Sequence, residues 1–349
     1  MPATSATTPE TASRRRRPVR AFAVALLAMA VVGSTACGGD GSASENASGS
    51  SESAAWSFED DKGVTHTLDS VPDVIAAQSV SAGGLWEYGV VADGVFGPLR
   101  RSDGTTDPAL GLADPDDFES LGEVDSQINL EALAALHPDI IVTAMWSDTQ
   151  YWGIDDAQID TIEQIAPVVG IRVDNRSIVD VLARYAELAE SLGGDKSKIE
   201  SAKAEFDAGS QKLKDALASK PGLSVVAASG VPAEMYIAYP PAFPELRHYG
   251  SLGMDLAEPE DHPTSGGFWE TISWEQAGKY PADVLLGDAR GGTVEQILGL
   301  LPATAKALPA VQAGQLYSWP TVQAYGYGAV AVNTDRLATE IGSSRSDLV

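Results

Sequence analysis

Two distant segments of this chain repeat one pattern, a helix start followed by a proline and a buried strand. In the first segment, Glu131 opens an apolar helical run, and Asp139 stands eight residues later before Ile-Ile-Val. In the second, Glu275 has the same place, and Asp283 stands eight residues later before Val-Leu-Leu. A proline near the end of each helix removes a backbone donor and discourages further helix. The repeat predicts two similar lobes, and a cleft between lobes is a place to hold a ligand.

The residue types in each copy predict the local structure. Asn129 and Ser273 are good helix N-caps, and the carboxylate two positions later faces the positive end of the helix dipole. The short apolar run after each aspartate fits a strand that is covered on both faces, as in a parallel sheet between helices. We therefore predict an α/β protein with two Rossmann-like lobes and a ligand cleft between them.

A long helical segment separates the two copies. Helical periodicity extends from Ser177 to about Ser219 and is broken only at Gly193 and Gly194. Its first part carries one apolar stripe, formed by Ile178, Val181, Leu182, Tyr185 and Leu188. We expect residues 177–193 to be a single long helix that joins an N-terminal lobe, residues 56–176, to a C-terminal lobe, residues 194–349.

The first 36 residues have the composition of an export signal. Five arginines precede a twelve-residue apolar run, which is too short to span a bilayer and ends in small residues before Cys37. The sequence Ser-Thr-Ala-Cys resembles a bacterial lipobox, which implies cleavage before Cys37 and acylation of its thiol. An ordinary secretory signal is the alternative, and the export route, general or twin-arginine, stays open. Residues 37–55 are rich in Gly and Ser and predict a flexible tether.

Charge and cysteine content exclude several classes of function. The formal net charge is −26, and five of the 23 basic residues lie in the export signal. Such an acidic surface repels nucleic acid, so we expect no nucleic-acid partner. A single cysteine allows neither an intrachain disulfide nor a thiolate metal cluster.

Three common catalytic signatures are absent from the sequence. The chain has no Gly-x-Ser-x-Gly elbow, no His-Glu-x-x-His helix and no Gly-rich phosphate loop. We therefore expect a binding protein rather than an enzyme. A secreted hydrolase, and a lipoprotein that binds only protein partners, are the alternatives from other classes.

Four segments together carry a family resemblance. They are residues 129–142, the helix from Ser177, residues 272–286, and the run Leu-Pro-Ala-Val-Gln-Ala-Gly-Gln-Leu-Tyr at 308–317. In order and spacing they resemble the helix-hinged (class III) substrate-binding proteins of ABC importers for iron-siderophores, haem and cobalamin. The resemblance extends over residues 71–341.

The resemblance implies a location and partners. Relatives in Gram-positive bacteria are lipid-anchored at the outer face of the cell membrane, and they deliver their ligand to an ABC permease dimer. We therefore expect an extracytoplasmic monomer held at the membrane through its lipid. Members of the family offer one acidic residue from each lobe to permease arginines, and the matching residues are Glu131 and Glu275. Stabilising the helix dipole is the other role of these two glutamates, and it is compatible with docking.

Candidate ligand contacts follow from the strand positions. In parallel α/β sheets, ligands bind beyond the carboxyl ends of the strands. Residues there are aromatic or arginine: Trp86, Arg100, Arg101, Trp146, Tyr239, Arg290, Trp319 and Tyr325, with Arg247 and Trp269 as further candidates. In relatives that bind siderophores, an arginine after the second strand contacts the chelate oxygens, and either Arg100 or Arg101 has that position.

This mixture of rings and guanidinium groups suits a ferric siderophore. Rings stack on the organic shell, and arginine forks donate hydrogen bonds to hydroxamate or carboxylate oxygens. Iron would enter only as part of the chelate, so we expect no resident cofactor. Hydroxamates are favoured over catecholates, whose triply negative complexes need a denser basic cluster. Cobalamin and haem remain alternatives.

Direct metal binding is a rival function within the same fold. Receptors for bare zinc or manganese surround the ion with several histidines and carboxylates. The four histidines here, His66, His137, His248 and His262, are scattered along the chain. We therefore expect no protein-bound metal.

Overall fold

The computed structural model describes residues 55–124, 126–230, 233–260 and 267–349. The predicted export signal, Cys37, nearly all of the tether and His262 lie outside these ranges. Within the described ranges, no helix combines the length and the apolar composition that crossing a bilayer requires.

The first lobe contains a two-stranded hairpin and a five-stranded parallel sheet. Its elements are β1 (Trp56–Glu59), β2 (Thr65–Leu68), β3 (Ile75–Gln78), α1 (Ser79–Glu87), β4 (Gly94–Phe96), β5 (Glu119–Ser120), α2 (Leu130–Leu136), β6 (Ile140–Met145), α3 (Ile159–Glu163) and β7 (Val168–Arg172). The strand order is β5-β4-β3-β6-β7, and all four pairings are parallel. The direction of winding reverses between β3 and β6, which opens a crevice at the carboxyl ends of these two strands.

The second lobe follows two helices. Its elements and those helices are α4 (Ile178–Ser191), α5 (Lys196–Ala218), β8 (Ser224–Gly230), β9 (Glu234–Ala238), α6 (Pro244–Ser251), β10 (Asp255–Leu256), β11 (Trp269–Ser273), β12 (Val284–Asp288), α7 (Val294–Leu300), α8 (Ala303–Lys306), α9 (Pro309–Gln312), β13 (Leu316–Trp319) and α10 (Tyr327–Ser343). The strand order is β11-β9-β8-β12-β13, with β10 also beside β8. Strands β8, β12 and β13 are parallel, and β9 is antiparallel to both of its neighbours.

Both sheets are covered on their two faces, as the apolar runs predict. In β6, Ile140 and Val142 enter one core cluster, whereas Ile141 between them enters another. In β8, Val225 and Val226 divide in the same way between two clusters of the second lobe. Alternate side chains therefore serve opposite faces, which is why these strands have no polar face.

The aspartate of the repeat has the same task in both lobes. The Asp139 carboxylate accepts the backbone N–H groups of Asp73 and Val74 at 2.8 and 2.9 Å, just before β3. The Asp283 carboxylate accepts the Ser224 N–H at 3.0 Å, at the start of β8. Each aspartate thus ties the strand that follows it to the neighbouring central strand. The repeat is architectural at this position.

The two repeat helices differ in type. Asn129 caps α2 through the Ala132 N–H, as the sequence predicts. Ser273 belongs to a capping box, but the segment Trp274–Lys279 is a 3₁₀ helix. The N-cap predictions are confirmed in both lobes, and only the hydrogen-bond period of the second helix differs.

The helix that joins the lobes is α5. Its residue Phe206 lies in the core of the first lobe, while Leu213 and Leu217 lie in a core of the second. The apolar stripe of α4, which we expected to form the bridge over residues 177–193, is buried entirely in the first-lobe core. A helix with one strong apolar stripe packs against a single lobe. A helix that joins two lobes must instead pack one part of its length against the first lobe and another part against the second. At 23 residues, α5 is about 35 Å long.

The C-terminal helix α10 runs beside α5 and also reaches both lobes. Val330 lies in the first-lobe core, and Leu337 and Ile341 lie in the second-lobe core. Glu87 of α1 accepts the N–H groups of the first turn of α10, from Gly328 at 2.7 Å and from the next residue at 2.9 Å. Two helices therefore cross the junction, and the first lobe caps one of them.

The first helix begins earlier than its glycines suggest. Two consecutive glycines favour a turn, but α1 starts at Ser79 and continues through Gly83 and Gly84. A Cβ atom on Gly83 or Gly84 would lie only 2.5 or 2.7 Å from a backbone carbonyl oxygen of a neighbouring segment. These glycines permit close packing inside a helix rather than a turn. As a result, Trp86 lies at the far end of α1, away from the carboxyl end of β3.

Candidate functional site

Aromatic side chains from both lobes meet across the cleft. We call this group the aromatic box, and it consists of Trp146, Trp152, Phe243, Phe268 and Trp269. Trp146 is the central ring, at 5.4 Å from Phe268 and 5.5 Å from Trp152 between centroids, in edge-to-face contacts. These rings, with Arg290, Thr321 and Val322, line a cavity of about 190 Å³. The box offers the ring faces and edges that bind an apolar organic surface.

The segment after β6, residues 146–152, fixes the two first-lobe tryptophans, and we call it the lip. Trp146 follows the last residue of the strand directly. The Trp152 N–H donates to the Ala144 carbonyl at 2.8 Å, and the Thr143 hydroxyl donates to the Trp152 carbonyl at 2.6 Å. The lip therefore folds back on the strand that carries it, which holds both rings at the sheet edge.

Strand β11 and the start of α6 supply the second-lobe rings. The Phe268 carbonyl accepts the Tyr239 N–H at 2.8 Å, which extends the pairing of β11 with β9. Phe243 stands before α6 and contacts Trp269 at 4.9 Å and the buried Trp319 at 5.0 Å. Trp319 thus supports the box from behind.

Two indole N–H groups of this region have no partner among the described residues. They belong to Trp146 and Trp319, and both nitrogen atoms are buried. A buried donor without an acceptor costs about 1–3 kcal/mol. The cost is typical of a site that keeps polar groups for a ligand rather than for the fold.

Arg290 stands where the aromatic box meets a second cavity. Its Nε donates to the Asp288 carboxylate at 2.8 Å, and the Thr321 hydroxyl donates to the same carboxylate at 2.6 Å. Burial alone would raise the pKa of Asp288, but the hydrogen bonds and charge of Arg290 hold it below its usual value. The guanidinium lies 5.9 Å from the Trp269 ring centroid. Arg290 is therefore fixed in place, and a buried carboxylate compensates its charge.

The structure separates the two neighbouring arginines that the sequence left undecided. Arg100 pairs with Thr106 in an isolated bridge, and its guanidinium meets the exposed Asp116 at 2.7 Å. The Arg101 guanidinium points the other way and donates to the Ala289 carbonyl of the second lobe at 3.0 Å. Successive side chains of an extended segment point to opposite sides, so only one of the pair can face the cleft. That residue is Arg101.

A larger polar cavity, which we call the polar chamber, adjoins the aromatic box. It measures about 640 Å³ and shares Arg290 and Val322 with the smaller cavity. Its other charged lining residues are Arg101, Asp103 and Asp107. Because the acids balance the arginines, the chamber has no strong excess of positive charge.

Besides Arg100 and Trp319, four further predicted contacts line neither cavity. Trp86 donates to Asp117 at 2.8 Å on the surface, and the exposed Arg247 donates to a carbonyl of its own lobe. Tyr325 is buried and stacks on a tyrosine of α4 at 5.3 Å. Tyr239 is partly buried against the second-lobe core. A ligand role for these four side chains remains a prediction that the geometry of the cleft does not favour.

The strand-end rule did not find Trp152, Phe243 or Phe268. Trp152 lies in the lip, and Phe268 precedes a strand that was not predicted. An adjacent aromatic pair in sequence was the available signal, since Trp152 follows a tyrosine and Phe268 precedes Trp269.

The two proposed docking residues are both exposed. Glu131 lies in the first turn of α2, and Glu275 lies in the first turn of the 3₁₀ helix. A hydrogen bond from the Ser273 side chain lowers the pKa of Glu275. Both carboxylates are therefore presented at capped helix starts, one on each lobe, and docking remains a prediction.

The described histidines have places within the fold. His66 lies 3.0 Å from a buried aspartate of its own hairpin, and His137 ends α2 in a left-handed conformation. His248 pairs with a serine of α5 at 2.9 Å, and burial lowers its pKa. In the described part of the chain, no three potential metal ligands converge.

Comparison with known families decides the class of this protein. Residues 116–322, more than half of the chain, match the periplasmic binding protein family. The chain belongs to this family. The predicted α/β architecture and the resemblance to substrate-binding proteins of ABC importers are thereby confirmed. The family name places this periplasmic binding protein outside the cytoplasm.

Solved structures of similar proteins agree. The ferric-siderophore receptor protein DesE from Streptomyces coelicolor is 35% identical, with a TM-score of 0.79, over 83% of this chain and 99% of that one. The siderophore periplasmic binding protein from the fuscachelin gene cluster of Thermobifida fusca is 21% identical, with a TM-score of 0.58, over 77% and 96%. The siderophore binding protein FhuD from Vibrio cholerae, bound to Fe3+-Desferal, is 19% identical, with a TM-score of 0.55, over 77% and 98%. The last two show the fold alone. The search of curated proteins gave no match.

Proposed function

We propose that this periplasmic binding protein captures a ferric siderophore and delivers it to an ABC permease. The observation that carries the proposal is the pair of adjacent cavities, an aromatic box beside a polar chamber with Arg101 and Arg290, which share Arg290 and Val322 in their linings. Its similarity at 35% identity to a ferric-siderophore receptor supports the same ligand class. The protein binds and releases this ligand without chemical change, as a solute-binding receptor does.

The size of the site fits a bulky chelate. The polar chamber, at about 640 Å³, is in the range of small-molecule binding sites, and the adjoining aromatic box adds about 190 Å³. The rings of the aromatic box would cover the apolar arms of the ligand, while arginine N–H groups would meet its iron-bound oxygens.

The charge of the site favours a neutral or cationic complex, such as a hydroxamate chelate. Arg290 is already compensated by Asp288, and Asp103 and Asp107 also line the polar chamber. A triply negative catecholate complex would bring its charge close to these acids without enough cations to offset it. The proposed ligand is therefore a ferric hydroxamate.

A calorimetric titration tests this proposal. Ferrioxamine-type, citrate-type and catecholate iron complexes are titrated in turn, followed by cobalamin and haem. We expect saturable one-to-one binding of the ferrioxamine type and at least tenfold weaker binding of the catecholate. Quenching of tryptophan fluorescence is also measured with the gallium complex of the same chelator. Quenching by this complex reports contact with the rings, because gallium lacks the light absorption of iron. Binding of cobalamin or haem, but of no iron chelate, would contradict the proposal.

We further propose that the protein is held at the outer face of the membrane through acylated Cys37, as a monomer on a flexible tether. Cys37 and its surroundings lie outside the described residues, so this proposal is supported by the lipobox-like sequence alone. More than one acyl chain would anchor the protein stably, whereas a single chain gives only marginal binding. Metabolic labelling with a fatty-acid probe, compared between wild type and Cys37→Ser, tests it.

A further inference from the structure

Two contacts cross the cleft and join its walls directly. One is aromatic, where Trp146 of the first lobe meets Phe243 and Phe268 of the second. The other is polar, where Arg101 donates to the Ala289 carbonyl at 3.0 Å. The first contact belongs to the aromatic box and the second to the polar chamber, with Arg290 lining both cavities.

The loop that carries Arg101 is internally bonded. The Arg101 N–H donates to the Thr105 carbonyl at 2.8 Å, and the Gly104 N–H donates back to the Arg101 carbonyl at 2.9 Å. The Asp107 N–H closes the base of the loop on the Leu99 carbonyl at 3.0 Å. The backbone of Arg101 is therefore held in one place, and its guanidinium reaches the second lobe from a fixed origin.

The acceptor is equally well fixed. Ala289 opens a 3₁₀ turn after β12, and its carbonyl also accepts the Gly292 N–H at 3.0 Å. The preceding Asp288 caps this turn through the Arg290 N–H at 2.9 Å. A carbonyl oxygen has two lone pairs, so it can serve the turn and Arg101 together. Both backbones are therefore fixed, and only the Arg101 side chain is ordered when the contact forms.

Arg101 differs from three other arginines of the two lobes in its choice of partner. Arg290 pairs with Asp288, Arg336 with Glu340, and Arg100 with Asp116 outside the cleft. Among the described residues, Arg101 has no carboxylate within 4.0 Å, although the chain is strongly acidic. Its hydrogen-bond partner is a neutral backbone carbonyl on the opposite lobe. A neutral carbonyl balances no charge, so this hydrogen bond connects the lobes without forming an ion pair.

We propose that Arg101 is a latch, a positioning residue that holds the two lobes closed through the Ala289 carbonyl. A hydrogen bond from a charged donor changes an equilibrium by roughly tenfold to a hundredfold. The closed fraction of the protein should therefore depend on this one side chain. The latch also sets how long a ligand stays in the cleft. This claim about ligand residence rests on the proposed function, whereas the claim about the closed fraction does not.

The first test measures the distance between the lobes without ligand. Spin labels are attached at Glu123→Cys and Lys306→Cys, two exposed positions on different lobes, in the full chain carrying Cys37→Ser. Arg101→Met keeps an unbranched apolar stem and removes the guanidinium with its N–H donors, and Arg100→Met is the matched control. We expect a longer and broader distance distribution for Arg101→Met alone. Identical distributions for wild type and Arg101→Met, or an equal change in Arg100→Met, would overturn the latch.

The second test measures dissociation of a ferrioxamine-type complex at low and high ionic strength. We expect Arg101→Met to raise the off-rate about tenfold, by the same ratio at both salt concentrations, because the latch acceptor is uncharged. A ratio that shrinks with salt would show that Arg101 slows dissociation through the charge of the ligand rather than through the Ala289 carbonyl, which contradicts the latch. If no iron chelate binds, the proposed function fails. The distance measurement without ligand still shows whether Arg101 holds the lobes closed.

Discussion

At the scale of single residues, the rings around Trp146 determine what the cleft can hold. Trp146 lies at the end of β6, and the neighbouring Trp152 is held by hydrogen bonds to two residues of that strand. Phe268 meets them from the other lobe at 5.4 Å. Because both walls supply rings, closing the lobes encloses an apolar body from two sides.

Trp152 provides a direct test of the aromatic box. Trp152→Ala should weaken binding of a ferrioxamine-type complex about tenfold, the scale of one lost aromatic contact. The matched control is Trp86→Ala, which removes a partly buried tryptophan outside the cleft. Isothermal titration calorimetry measures both variants. Equal losses in the two, or none in Trp152→Ala, would mean that the ligand lies elsewhere.

Most of the site residues that could be predicted follow a predicted strand, whereas Trp269, a further candidate, begins strand β11. Trp146, Arg101 and Arg290 were found this way, because the carboxyl end of a parallel strand fixes where the next residue lies. Trp152 and Phe268 were missed because a lip and an edge strand position them, and an adjacent aromatic residue was their one local signal. Tyr325 was selected by the rule, yet the chain after β13 turns back into the first-lobe core and buries it.

At the scale of elements, α5 and α10 together form the junction between the lobes. Both helices contribute residues to the core of each lobe, and Glu87 fixes the start of α10 on the first lobe. A pair of packed helices bends less readily than a loop, so the lobes should move through a small angle. The sequence predicted helices here but not which helix joins the lobes. Helical periodicity shows that one face of a helix is buried, but it does not show which lobe buries that face.

Helix α6 at the base of the cleft contains a fully buried acid. Burial raises the pKa of Glu245 to about 7, although a hydrogen bond from the Gln323 side chain at 2.8 Å partly opposes the rise. Its second carboxyl oxygen is buried without a partner among the described residues. The folded state therefore keeps a proton on this group that the unfolded chain releases near its ordinary pKa of 4.5.

This buried acid predicts how stability depends on pH. A folded pKa above the unfolded one means that the folded state binds more protons between the two values, so stability falls as pH rises from about 4.5 to about 7. Glu245→Gln keeps the shape and stays neutral, so its stability relative to wild type should increase over that interval, by up to about 3 kcal/mol. Urea unfolding at pH 5 and pH 8 measures the difference. A difference that is constant with pH would contradict the assignment.

At the scale of the whole molecule, the repeat places one acidic residue at a capped helix start on each lobe. The aspartates of the repeat tie strands together, but Glu131 and Glu275 are exposed and bond no residue of the opposite lobe in the described structure. Glu131 and Glu275 are therefore equivalent as surface residues, one exposed on each lobe. The two-lobed architecture could be predicted from the repeat in the sequence. The contacts that close the cleft could not, because they join residues that are far apart in the sequence and share no local pattern.

The docking role of this surface is tested by separating binding from transport. The double variant Glu131→Ala and Glu275→Ala should bind a ferrioxamine-type complex with unchanged affinity, because neither residue lines a cavity described here. Uptake of the radiolabelled complex by cells carrying only this receptor should be abolished, because the permease would lose a carboxylate partner on each lobe. The matched control replaces Glu123 and Glu295, two exposed glutamates that lie one on each lobe outside the repeat. If the control variant lost uptake equally, general negative charge rather than these two residues would guide the protein to its permease. If the test variant lost affinity as well, the two glutamates would act through the fold and the docking assignment would fail.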